Sequence, residues 1–141
     1  MTSANAPESA HRPLGGSWMD SEPVRGGTPD PRLLGLSGLE GMRAAWGLRV
    51  PAPPIHYLVG LRPVTVGPAG VTFVMPATPW LRSDAGVFHA GASALVADAA
   101  SASAVQVTLP SGAVVATSDL TMNFLRSVDV DSGRLIARAR P

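Results

Sequence analysis

The sequence contains no cysteine and no lysine, and neither sign of charge dominates it. Without cysteine there can be no disulfide, no thiolate metal ligand and no cysteine nucleophile, which fits a reducing compartment. The 11 basic and 10 acidic residues are spread along the chain and leave a net charge of +1. Because no segment concentrates positive charge, we expect no binding to nucleic acid.

Long apolar segments are also missing. The longest uncharged run, residues 99–118, contains Ser, Thr, Gln, Pro and Gly and is too polar to cross a bilayer. The N-terminus has no apolar stretch of the secretory type. We therefore expect a soluble, cytoplasmic protein without a membrane partner. The histidines show no zinc-like or iron-like spacing, so we expect no metal and no cofactor.

Proline and glycine are concentrated at the N-terminus. Residues 1–31 hold five prolines and four glycines with almost no apolar periodicity, and such a segment buries too little surface to offset the entropy of ordering it. We predict a disordered tail over residues 1–31. The hydrophobic share of 45% is enough for one packed domain, which we assign to residues 32–141.

The domain opens with a helix and a hairpin. Ser37 and Glu40 have the S-x-x-E spacing of a capping box, and Leu39, Met42 and Trp46 follow as one apolar stripe. Two extended segments come next, at 56–66 and 71–75. The turn residues 68–70 between them predict a β-hairpin.

The most informative stretch is the alanine-rich segment 86–107. It is too long for a strand and is dominated by the best helix former. Between His89 and Gln106 its single charged residue is Asp98, and the surrounding positions are small or apolar. A helix that is apolar nearly all round is expected to be buried on most sides.

The chain then returns to β patterning. Residues 113–126 alternate apolar and polar side chains, which predicts a long strand. After a turn at 131–133, residues 134–140 begin another strand. The order helix, strand, strand, buried helix, strand, strand predicts an α+β fold in which an antiparallel sheet folds around one central helix.

Two motifs in this order resemble a known family. The run 86–91, with sequence GVFHAG, followed by Leu95, Asp98 and Ala99, resembles the glycine–histidine and aspartate motif of the PaaI-like hotdog-fold acyl-CoA thioesterase family. The stretch 117–126, with sequence TSDLTMNFLR, is similar to that family's T-x-x-L-x-x-N-F-L-R strand. The resemblance covers about residues 33–141 and includes two motifs in the right order.

The resemblance implies a hotdog fold, hydrolysis of acyl-CoA, and a homodimer or homotetramer whose active sites are shared between subunits. This sequence departs from the family pattern at three positions. Ala90 stands in place of the first glycine of a pair, Ser83 in place of an asparagine, and Ser127 in place of a proline. Family members also continue for two further strands, so we expect a hotdog domain that is C-terminally incomplete.

Thioester hydrolysis needs a base or nucleophile and donors for the oxyanion. A carboxylate in apolar surroundings is poorly solvated and therefore more nucleophilic, which favours Asp98 as nucleophile or general base. The unpaired N–H groups of Ala90 and Gly91 at the helix start suit the thioester oxygen. Asp98 lies about 12 Å from Ala90 along the axis. The dimer implied by the resemblance would bring one helix start beside the partner's aspartate.

Four residues are candidates for binding substrate. His89 could order the loop or line the CoA entrance, Ser101 could position water near Asp98, and Arg126 could meet CoA phosphates. Ser83 stands at the position of the family's asparagine. Three of them have an ordinary alternative: His89 as a loop histidine, Ser101 as an inert helix serine and Arg126 as a surface arginine. Asp98 could likewise be a solvent-facing carboxylate.

Two other functions stay open at this point. A hotdog dehydratase or hydratase would use a catalytic histidine with a carboxylate, but His89 and Asp98 have the thioesterase spacing on one helix. A non-catalytic hotdog module that binds acyl-CoA or a protein partner is favoured by Ser83, Ala90 and the missing strands. Turnover of acyl-CoA would distinguish an enzyme from such a module.

Overall fold

The computed structural model describes residues 31–47 and 52–141. The predicted N-terminal tail falls outside this range apart from Pro31, which opens a 3-10 turn. Two short 3-10 turns, Pro31–Gly35 and Pro79–Leu81, accompany the helices and strands. In chain order the helices and strands are α1 (Gly38–Trp46), α2 (Pro54–Val59), β1 (Arg62–Gly67), β2 (Gly70–Pro76), α3 (Ala90–Gln106) and β3 (Arg134–Ala139).

The three strands form one antiparallel sheet in the order β1-β2-β3. β2 is central, and alternate residues of it, including Phe73 and Met75, point to the face that α3 covers and are fully buried. Ala137 and Leu135 of β3 lie opposite these two residues. The antiparallel sheet with one long helix packed on it agrees with the coarse α+β prediction, and β1 and β2 form the predicted hairpin.

α3 is fully buried along one stripe and half-buried at most of its other positions, so the expectation of burial on most sides holds only in part. Val96, Ala100 and Ala104, spaced four residues apart, face the sheet and are almost inaccessible. Ser101 and Val105 on another side are exposed. The small side chains allow close approach to the sheet, but three strands cover only one side of a helix.

The segment after the first prolines is helical rather than extended. Residues 56–66 were expected to be one strand, yet α2 occupies Pro54–Val59 before β1 begins. Pro54 sits in the first turn, where its missing N–H costs nothing, and Gly60 ends the helix in the left-handed conformation with φ of 70°. Proline and glycine thus mark a helix start and stop here, and the apolar residues between them follow no strand alternation.

Residues 113–126, called the 113–126 segment below, contain no strand among the described residues. This corrects the prediction of a long strand there. Leu125 is 95% exposed and Phe124 is exposed too, whereas Met122 is half-buried. Alternation in a sequence indicates two faces but not a hydrogen-bonding neighbour, so it could not reveal that the described chain supplies no neighbouring strand.

The predicted capping box at the start of α1 is confirmed. The Glu40 amide donates to the Ser37 hydroxyl at 3.4 Å, and the Ser37 amide donates to the Glu40 carboxylate at 3.0 Å. The hydrogen bond from the Ser37 side chain lowers the pKa of Glu40. Leu39 and Met42 pack against the core as expected, while Trp46 is 47% exposed.

Gly38 allows α1 to touch the end of α3. Its amide donates to Leu109 O at 3.0 Å, and a Cβ added to it would lie only 1.7 Å from Gln106 O. We expect Gly38→Ala to lower the free energy of unfolding by about 3 kcal/mol, as overpacking against backbone does. Urea unfolding measures the loss.

Gly41 in the same helix is the matched control. A Cβ there meets nothing within 4 Å, so Gly41→Ala should raise stability by about 0.5–1 kcal/mol through helix propensity alone. Equal effects of the two substitutions would show that α1 does not pack on α3 as described.

His56 in α2 is half-buried with its ring against the core. Its centroid lies 5.9 Å from that of Phe73, edge to face, and burial lowers the pKa of His56. The unfolded chain, with a histidine pKa near about 6.5, therefore takes up a proton at a higher pH than the folded chain. Stability should fall as the pH drops below about 6.5 and level off below the folded pKa.

This pH dependence is measured by urea unfolding between pH 8 and 5. His56→Gln should be less sensitive to pH in this interval than the wild type, because glutamine does not titrate. Glu40 loses its stabilising hydrogen bonds only at a lower pH, around or below its ordinary value of 4.5. An equal fall of stability in both proteins would contradict the assignment to His56.

Candidate functional site

The start of α3 is organised by the side chain of His89. This residue is the N-cap, and its Nδ1 accepts a hydrogen bond from the Gly91 amide at 3.0 Å. Two amides are predicted to bind an oxyanion. The N–H of one of them, Gly91, therefore already donates its hydrogen bond to the imidazole. The Ala90 amide has no acceptor within the described part of the chain. The helix start thus presents one unpaired N–H, on an exposed residue.

The loop before α3 holds this helix start in place. The Ser83 hydroxyl and amide both donate to Val87 O, at 3.0 and 2.7 Å. The His89 amide donates to Leu81 O at 2.8 Å, and the Phe88 amide to Val128 O at 2.9 Å. Ser83 is predicted to bind substrate, but its hydroxyl donates to the backbone of its own loop. Here it closes a turn.

Asp98 lies near the middle of α3 and is half-buried. The hydroxyl of Thr117 in the 113–126 segment donates to Asp98 Oδ1 at 2.7 Å. Asp98 Oδ2 accepts no hydrogen bond from the described residues, so one carboxylate oxygen is fixed and the other is available. Ala90 is eight residues earlier, about 12 Å along the axis, so the two groups of one chain cannot contact one carbonyl.

A groove of about 870 Å³ runs between α3, residues 122–129 and β3. Ser101 and Arg126, both predicted to bind substrate, line this groove. Arg134 and Arg138 bring the arginines of the groove to three, against the single carboxylate of Asp129, and the side of α3 that closes it is built from small or apolar residues. The groove therefore suits a ligand with an apolar part and an anionic part.

The predicted site residues fall into three places. His89, Ala90 and Gly91 are together at the start of α3, whereas Ser101 and Arg126 share the groove. Asp98 does not line the groove; it sits on the neighbouring stripe of α3, toward the 113–126 segment. One chain therefore does not gather these residues around a single point.

Two residues of this region were not assigned a role from the sequence. Thr117 is the first residue of the strand motif, and its contact with Asp98 spans 19 positions. Gln106, at the end of α3, donates from Nε2 to Ala113 O at 3.2 Å and accepts from the Val115 amide at 3.0 Å. Its position eight residues after Asp98, on the same stripe of the helix, was the available signal.

Two further findings concern the described residues. They contain no group of three or more His, Asp or Glu side chains that could hold a metal ion. None of the helices in 31–47 and 52–141 has both the length and the apolar character needed to cross a membrane.

Comparison with protein families matches residues 85–141 to the Thioesterase superfamily. This range is less than half of the chain and includes α3, the 113–126 segment and β3. Every predicted site residue except Ser83 lies inside it. The match indicates thioester hydrolysis in general. No curated protein and no solved structure matches the chain.

Proposed function

We propose that this protein is an acyl-CoA thioesterase of the PaaI-like hotdog type, in which Asp98 is the nucleophile or the general base. The observation that carries the proposal is the state of this carboxylate. It is the single charged group of α3, it is half-buried, and Thr117 holds one of its oxygens while the other has no partner among the described residues. It also lies within the range that matches the Thioesterase superfamily.

Asp98 has two chemical routes to the same products. As a nucleophile, its free oxygen bonds to the thioester carbon, the C–S bond breaks and CoA leaves as the thiolate; water then hydrolyses the acyl–aspartyl anhydride. As a general base, it takes a proton from a water whose oxygen attacks the carbon directly. Both routes yield the carboxylic acid and, after protonation, the CoA thiol. In both, Thr117 keeps the carboxylate in one orientation.

The oxyanion formed on the carbonyl oxygen needs a donor, and we assign this role to the Ala90 amide. It is unpaired, lies at the positive end of the helix dipole and is exposed. Gly91 contributes by letting the His89 ring cap the helix closely, since a Cβ on Gly91 would be 3.0 Å from His89 Nδ1. Because about 12 Å separates Ala90 from Asp98 in one chain, the proposal requires the Ala90 of a second subunit, as in a homodimer or homotetramer.

The groove beside α3 supplies binding for the rest of the substrate. Arg126, Arg134 and Arg138 offer guanidinium groups that suit phosphates, so we assign the nucleotide end of CoA to this side. Ser101 lies on the α3 side of the groove, three residues from Asp98, where a thioester could approach the carboxylate. His89 and Ser83 act by shaping the loop at the helix start.

The test is steady-state hydrolysis of an acyl-CoA panel by the full chain. The rate is measured from the release of the CoA thiol. We expect repeated turnover, with many equivalents of CoA released per subunit. The second candidate function is a non-catalytic module, which is favoured by the use of the Gly91 amide and the Ser83 hydroxyl within the chain itself. Saturable binding of acyl-CoA without turnover would support that function and refute the hydrolase.

A further inference from the structure

The last turn of α3 is joined to the start of the 113–126 segment by one side chain. The Gln106 amide group donates to Ala113 O at 3.2 Å and accepts from the Val115 amide at 3.0 Å, both partly buried. It therefore engages the backbone on either side of residue 114, as a neighbouring strand would. Within the described residues the segment has no strand partner. This pair of bonds therefore replaces part of the backbone hydrogen bonding that a neighbouring strand would supply.

We propose that Gln106 is a positioning residue that fixes the register of the 113–126 segment on α3 and thereby holds the Thr117 hydroxyl against Asp98. The inference rests on the proposed catalytic role of Asp98. It names a residue that touches neither substrate nor carboxylate, and it accounts for how a segment without strand pairing keeps a hydroxyl within 2.7 Å of a carboxylate.

The alternation of the segment supports this register. Ala113 and Val115 are half-buried, whereas Val114 and Ala116 are exposed, so the side chains of residues 113 and 115 face α3. Thr117 is exposed, and its hydrogen bond to Asp98 puts its side chain on the same face. A shift by one residue would turn Thr117 away from the helix and put Ala116 or Ser118 in its place.

The two partners on α3 are spaced to match. Asp98 and Gln106 are eight residues apart and, with Ala102 between them, lie on one stripe of the helix. The chain from 113 to 117 therefore runs back along this stripe and is bonded at both ends, by Gln106 at residues 113 and 115 and by Asp98 at residue 117. Removing the Gln106 bonds leaves the Thr117–Asp98 bond to hold the register alone.

The residue type is specific to this task. Glutamine presents a donor and an acceptor side by side at the end of a flexible side chain, which is what two successive backbone groups of an extended segment require. Methionine has similar length and helix propensity but neither group. Glutamate keeps the acceptor for the Val115 amide and loses the donor to Ala113 O.

The experiment is a double-mutant cycle in the full chain with Gln106→Met, Thr117→Val and both together. If Gln106 acts through Thr117, each single change should lower kcat about fivefold to tenfold with KM within about twofold, as for one lost hydrogen bond. The double variant should be no slower than Thr117→Val alone. Thr108→Val, which removes a side-chain bond to Val105 O at the same helix end, should leave kcat unchanged.

A second measurement does not depend on activity. Amide hydrogen exchange at Val115 should be slow in the wild type and in Thr117→Val, and clearly faster in Gln106→Met. Should Gln106→Met fail to fold, Gln106→Glu replaces it, with exchange at Val115 intermediate. The proposal would be overturned if the fold-loss of kcat in the double variant equalled the product of the losses in the two single variants. Unchanged amide exchange at Val115 in Gln106→Met would also overturn it. A wild type without turnover but with these exchange rates would refute the hydrolase and leave the role of Gln106 as an anchor intact.

Discussion

Asp98→Asn is expected to lower kcat/KM for acyl-CoA hydrolysis by at least about 10³-fold, because the amide can neither attack the thioester carbon nor take a proton from water. The fold should survive the change. The Thr117 hydroxyl can donate to the oxygen of an asparagine amide as it does to Asp98 Oδ1, so the thermal unfolding midpoint should stay within a few degrees. Thiol release and a thermal scan measure the two effects.

Asp119→Asn is the matched control for this loss. Asp119 is an exposed carboxylate two residues beyond Thr117 in the same segment, and it has no hydrogen-bond partner among the described residues. The same change of charge there should leave kcat/KM within about twofold, as expected for an exposed site screened by water. Activity that persists in Asp98→Asn, or falls equally in both variants, would remove Asp98 from the chemistry.

The sequence was sufficient for features that depend on neighbouring residues. The capping box of Ser37 and Glu40, the hairpin and the alanine-rich α3 follow from short-range patterns that determine local backbone conformation. Asp98 could be identified from the sequence because it is a single charged residue among small apolar ones.

Features that depend on distant residues could not be predicted in this way. Gln106 and Thr117 acquire their roles through contacts with residues 7 to 19 positions away, and nothing local distinguishes them. The 113–126 segment has strand-like alternation, but a ladder requires a partner at the right distance. α2 forms where a strand is expected because Pro54 and Gly60 are compatible with the two ends of a helix, although both residues disfavour its interior.

The arrangement of the site has a consequence for assembly. The unpaired amide of Ala90 and the held carboxylate of Asp98 lie on one helix, about 12 Å apart, so neither alone completes a hydrolytic centre. Two α3 helices from different subunits, related by a twofold axis, would form two equal centres. Under the proposed mechanism catalysis would then require assembly, and a substitution at the helix start would act on the partner's aspartate.

Ala90→Pro tests the second half of this centre with little structural cost. Proline is favoured at the first helical position, and His89 has φ of −66° and ψ of 129°, which suits a residue before proline. The change removes only an N–H that has no acceptor in the described chain. We expect kcat to fall about 10²–10³-fold, as for other lost oxyanion donors, with an unchanged unfolding midpoint. Ala90→Ser, which keeps the N–H, should retain activity.

Mixing the two inactive variants tests where the donor comes from. A dimer of one Asp98→Asn subunit and one Ala90→Pro subunit contains one centre with both wild-type groups and one with neither. When equal amounts of the two variants are unfolded and refolded together, random pairing of subunits makes half of the dimers mixed. Each mixed dimer has one of its two centres intact, so about one quarter of wild-type activity should return. If the donor and the carboxylate came from the same chain, every centre would lack one of them. Mixing would then restore nothing, and the shared active site would be refuted.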